Sequence, residues 1–95
     1  MVKIYKYKIG PNKKSEIKGR FAGVFKVDWQ DDELCAWCLV SEQLKEAIIK
    51  FYIIPTGYEF ELGERWHYVD TIQDGPYVWH IFYEFWTDSG RKGEN

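Results

Sequence analysis

The run 77–86, YVWHIFYEFW, constrains the fold more than any other segment of the chain. Tyr77, Trp79, Ile81, Tyr83 and Phe85 fall on one face, and Val78, His80, Phe82, Glu84 and Trp86 on the other. A period of two sustained over this length is the signature of a β-strand. Residues 66–72 read as its hairpin partner, joined through Gln73, Asp74, Gly75 and Pro76, where Asp-Gly permits the positive φ of a tight turn.

The same pattern recurs upstream. Residues 3–9 (KIYKYKI) place Tyr5, Tyr7 and Ile9 on one face of a first strand, whose lysines suit a sheet edge because charge there discourages pairing with another chain. Residues 10–14 gather Gly, Pro and Asn beside lysines and read as a loop. Residues 21–29 and 34–40 form a second hairpin around an acidic turn, and the LCAWCLV arm, apolar on both faces, reads as a central strand or an oligomer surface. Ser41 is a good N-cap for one helical turn over 41–47. Residues 48–54 (IIKFYII) form a β-branched strand ended by Pro55, Thr56 and Gly57, and 58–64 read as a loop or irregular edge.

These segments give a mainly β fold: a small antiparallel sandwich or partly closed barrel of about six strands, with at most one short helix. The expected core contains Tyr7, Trp37, Phe51, Ile53, Trp79 and Ile81. One domain is expected over 1–86, followed by a flexible polar tail over 87–95 that lacks an apolar anchor. Aromatic residues make up 19% of the chain. A thin core accounts for most of them, and rings with a polar tip left outside it suit a ligand groove or a partner surface. So short a chain buries a modest share of its surface, which makes a homo-oligomer a reasonable way to bury more.

Charge is unevenly spread. Residues 1–20 hold seven Lys or Arg against Glu16 alone, whereas the remainder holds six against fourteen acids. The basic segment can attract phosphate or an acidic protein patch, while an overall acidic pI of about 5.7 disfavours duplex DNA. No apolar stretch has the length of a membrane span. Two cysteines are too few for a disulfide scaffold, so the reduced cytosol is the expected compartment.

Catalytic and metal-binding constellations are weak. Cys35 and Cys38 share a CxxC spacing but lie in a strand-like run where residues three apart point to opposite faces, and only His67 and His80 remain as further zinc ligands. Buried structural cysteines are the favoured reading, with no metal and no cofactor. His80 has Asp70 and Glu84 as candidate acidic neighbours, yet Ser15, Ser41 and Ser89 sit outside any nucleophile-elbow motif. Asp28, Asp31, Asp32 and Glu33 match no calcium-loop pattern and read as a solvated acidic turn.

KIYKYKI, LCAWCLV, FYIIPTG and the closing YVDTIQDGPYVWHIFYE, taken in this order and spacing, resemble a family of small domains of unknown function found in phage and prophage genomes. The resemblance spans residues 3–84. It implies a non-enzymatic phage protein that binds and blocks a host protein, such as a component of antiviral defence, in the host cytosol. Two alternatives stand beside it: an oligomeric sponge that sequesters a nucleotide signal, and an unrecognised small hydrolase. The residues themselves point to a binding site that joins the basic first segment, Lys6, Lys8, Lys13, Lys14, Lys18 and Arg20, to the rings Trp29, Tyr58 and Trp66 at strand ends and loops.

Overall fold

A computed structural model describes residues 1–10 and 14–87. Seven strands form two antiparallel sheets: β1 (Lys3–Lys8), β2 (Lys14–Gly19), β3 (Phe21–Gln30), β4 (Glu33–Val40), β5 (Ala47–Pro55), β6 (His67–Asp74) and β7 (Tyr77–Thr87). One sheet has the order β1-β4-β3 and the other β2-β5-β7-β6. The result is an open sandwich rather than a closed barrel. Among the described residues there is no helix, and hence none long and apolar enough to cross a membrane.

The alternation in the sequence decides which residues meet between the sheets. Val27, Leu34, Ala36 and Cys38 from the three-stranded sheet pack against Ile49, Phe51, Ile53, Ile72 and Ile81 from the four-stranded one. Of the expected core, Phe51, Ile53 and Ile81 are buried, while Tyr7 and Trp79 pack at its margin. Trp37 is the correction. In LCAWCLV the small residues Ala36 and Cys38 turn inward with Leu34, and Trp37 stands on the outer face, in register with Lys6 of β1 and Lys26 of β3.

The turns follow their residues. Asp31 and Asp32 both adopt positive φ (51° and 66°) between Gln30 and Glu33, as a two-residue type I′ hairpin loop requires. Tyr58 N–H donates to Pro55 C=O at 3.2 Å across Gly57 at φ 94°, the arrangement of a type II turn. Asp70 joins the sheets, its carboxylate accepting the Val27 N–H at 3.0 Å.

Two further corrections concern connections. Residues 14–19 (KSEIKG) form β2, paired with β5 from Lys14↔Tyr52 to Gly19↔Ala47, where the sequence predicts a loop following β1. Ile17 is the one large apolar side chain in this strand, so no alternation announced it. Residues 41–46 make a turn instead of a helical turn: Leu44 N–H reaches Ser41 C=O at 3.2 Å and Gln43 N–H reaches Ser41 Oγ at 3.3 Å. The Ser41 hydroxyl accepts from the Gln43 N–H in this turn but caps no helix, and β5 begins at Ala47. Of the tail expected over 87–95, Thr87 instead closes β7, and 88–95 lie outside the described residues.

Candidate functional site

The four-stranded sheet turns Tyr52 of β5 and Phe82 of β7 outward as a directly paired couple, and Tyr68 of β6 pairs with Phe82 on the same face. Residues 56–66 then leave β5 and lay two more rings over this couple. Trp66 stacks on Tyr52 at 4.0 Å between centroids and 13° between planes, and Phe60 lies parallel to Trp66 at 5.9 Å. Phe82 touches Trp66, Phe60 and Tyr68 at 5.6 to 5.9 Å. Ring contacts therefore run continuously over the outer face of the sheet. The patch stays open to solvent at its rim, with Phe60 45% and Leu62 64% exposed and Tyr58 and Tyr68 also exposed.

Local chemistry holds the segment in place. Thr56 N–H donates to Val78 C=O at 3.1 Å, and the Thr56 hydroxyl lies 2.7 Å from His80 Nε2. His80 Nδ1 lies 3.2 Å from the Thr71 hydroxyl, which in turn meets the Tyr68 hydroxyl at 2.5 Å. These contacts are self-consistent when Nε2–H donates to Thr56 and Nδ1 accepts from Thr71. His80 thus ties the start of the 56–66 segment to β6. Its ring nitrogens meet hydroxyls and not the carboxylate of Asp70, which is committed to Val27 on the opposite face.

Below the rings lies Glu84, 1% exposed although it belongs to the outer face. Its Oε1 accepts hydrogen bonds from the Tyr52 hydroxyl and from Trp86 Nε1, both at 2.8 Å. Lys50, directly opposite Glu84 on β5, places its ammonium 3.6 Å from the Trp86 centroid and 3.6 Å from Glu16. Burial, then the bond to Glu84, raises the Tyr52 phenol to about 12. Two donors converge on the one buried oxygen, so Glu84 holds Tyr52 and Trp86 together under the patch.

A second concavity opens at the other end of the sandwich. The inner face of β1 (Lys3, Tyr5, Tyr7) meets Arg20 and residues 40–43 around a cleft of about 640 Å³. Tyr5 remains 48% exposed on a face that elsewhere packs into the core, and its ring lines this cleft. Arg20 donates from Nη1 to Leu44 C=O at 2.5 Å, fixing the 41–46 turn as one wall.

A family model described as a domain of unknown function (DUF7352) matches residues 1–89. The chain belongs to this family. No curated protein and no solved structure matches the chain.

Within this DUF7352 domain the residues chosen from sequence separate into distinct regions. Lys6 and Lys8 stand on the outer face of the three-stranded sheet, Lys6 bonded to Gln30 and Lys8 paired with Glu33 at 2.8 Å. Lys14 and Lys18 belong to β2, and Lys18 faces Glu46 at 3.6 Å. Arg20 lines the cleft, and Lys13 lies outside the described residues. Tyr58 and Trp66 sit with the ring patch on the far side of the sandwich from Lys6 and Lys8. Trp29 takes a structural place between the sheets, its Nε1 donating to Gln73 C=O at 3.0 Å.

Sequence reasoning missed Tyr52, Phe60, Tyr68 and Phe82 as members of the patch. The alternation in 48–54 and 77–86 placed Tyr52 and Phe82 on strands, but only the strand register brings them together. Cys35 and Cys38 are both buried and lie on opposite faces of β4, and burial raises the Cys38 thiol to about 12. Among the described residues no group of His, Cys, Asp and Glu is arranged to hold a metal ion.

Proposed function

We propose that this domain is a non-enzymatic, phage-type binding protein that blocks a host protein, a component of antiviral defence, by direct contact in the host cytosol. The observation that carries the reading is the continuous ring patch of Tyr52, Phe60, Trp66, Tyr68 and Phe82, built on the outside of a sheet and rimmed by exposed Tyr58 and Leu62. Aromatic residues concentrate binding energy at interfaces, and contiguous exposed apolar surface marks interaction sites. Rings pre-stacked on one another lose little freedom when a partner covers them. The hydroxyls of Ser15 and Ser41 engage backbone groups away from His80, which favours binding over hydrolysis.

The test is recovery of partner from infected-host lysate by the intact chain and by two double variants. Phe60→Ala with Leu62→Ala is expected to lose the partner, each side chain contributing on the order of 1 to 2 kcal/mol. Lys6→Glu with Lys8→Glu is expected to retain it. Loss with the lysine pair and retention with the apolar pair would move the site to the three-stranded sheet.

The cleft favours a second reading, the nucleotide sponge, because Tyr5 and Tyr7 offer rings for a base while Lys3 and Arg20 offer cations for phosphate. Heat extraction of protein purified from infected cells decides between them: a released nucleotide supports the sponge, and a partner protein lost with the Phe60/Leu62 pair supports the blocking role.

A further inference from the structure

Among the described residues β1 is an outer strand of its sheet, hydrogen-bonded to β4 alone. Ile9, one residue beyond it, donates its N–H to Leu34 C=O at 2.8 Å. Lys8 pairs with Cys35, so Ile9 sits opposite Leu34 at a hydrogen-bonded position, and such positions alternate along an antiparallel pair. Tyr7, Tyr5 and Lys3 therefore turn their backbone groups toward β4. Ile4, Lys6 and Lys8 turn theirs outward, along an open edge.

Sheets protect their edges with bulges and charged side chains. β3 is interrupted at Phe21/Gly23 and Val24/Lys26, β6 at Tyr68/Asp70, and β2 carries Glu16 and Lys18 on one face. β1 runs in unbroken register from Lys3 to Lys8. Its lysines offer less protection than their number implies, because Lys8 is drawn to Glu33 and Lys6 to Gln30 across the sheet. Ile4 and Tyr5 are exposed beside them.

We propose that β1 pairs antiparallel with β1 of a second copy, about a two-fold axis at Tyr5. A two-fold axis normal to the sheet keeps each face on its own side, so outward-facing residues must oppose outward-facing residues. Centring on Lys6 sets Lys6 against the partner's Lys6, and like charges directly opposite are destabilising. Centring on Ile4 shortens the overlap within the strand. Centring on Tyr5 pairs Ile4 with the partner's Lys6 and Lys3 with the partner's Tyr7, with no like charges opposed. The two Tyr5 residues then form a close, non-hydrogen-bonded pair with Cα atoms about 4.5 Å apart. Because Lys3, Tyr5 and Tyr7 line the cleft, the two clefts adjoin across the axis and share the Tyr5 pair.

Sedimentation of the full chain over a range of concentrations is expected to give twice the 11.4 kDa chain mass, falling to one chain on dilution. Tyr5→Lys, which sets two cations against each other at the axis, is expected to weaken the dimer at least tenfold. Tyr5→Cys is expected to give a covalent dimer under mild oxidation, while Ile4→Cys is not, because paired Ile4 positions are offset by two residues and exceed the roughly 7 Å limit for a bridge. Both native cysteines are buried and stay out of this chemistry. A single-chain mass at every concentration, or cross-linking through Ile4→Cys as readily as through Tyr5→Cys, would overturn the proposal.

Discussion

Tyr52 carries two roles at once: its ring is the platform for Trp66 and its hydroxyl donates to the buried Glu84 carboxylate. Removing the hydroxyl in Tyr52→Phe keeps the stack and deletes a bond to a charged group, at an expected cost of about 1 to 3 kcal/mol in denaturant unfolding. The pH dependence follows from the raised phenol. Its ordinary value is 10.0 and the folded value is about 12, so the folded state favours the neutral form. That contribution is fully present below pH 10 and is lost as pH rises through 12. The intact chain is expected to lose stability across this window, and Tyr52→Phe to lose less. Tyr7 and Tyr83 are also raised, first by burial, so the variant flattens the alkaline slope without abolishing it.

At the scale of elements, the 56–66 segment converts an ordinary outer sheet face into a ring patch, and Gly63 is the position that permits it. A Cβ at Gly63 would stand 2.5 Å from Trp66 Cδ1 and Nε1, so the indole must leave its place on Tyr52. Gly63→Ala is expected to leave the far-ultraviolet spectrum unchanged, shift tryptophan emission to the red and weaken partner capture. Gly23→Ala, where nothing lies within 4 Å, is expected to do none of these. The elements β1, β3, β4, β5, β6 and β7 were legible in the sequence, from alternation or from β-branched and aromatic runs, as were the PTG and DGP turns. β2 was not, because a short edge strand dominated by charge gives no hydrophobic period. The patch was half legible: Tyr58 and Trp66 read as ring positions at strand ends and loops, but their seat on Tyr52 and Phe82 depends on a register that no local pattern contains.

For the molecule as a whole, the charge asymmetry of the sequence does not become one basic face among the described residues. Folding sends Lys6 and Lys8 to the three-stranded sheet and Lys18 to the edge of the other, and pairs Lys8 with Glu33 and Lys18 with Glu46. Exposed pairs of this kind add little to stability, but they draw acids from the later chain to the early lysines and disperse the basic cluster. What remains is a sandwich with an aromatic outer face on one side and an open β1 edge on the other. Amide hydrogen exchange on the chain, alone and with its captured partner at the same chain concentration, tests this division most directly. The expected result is new protection over 56–68 and none over 3–9; protection gained over 3–9 and 14–20 with 56–68 unchanged would contradict it.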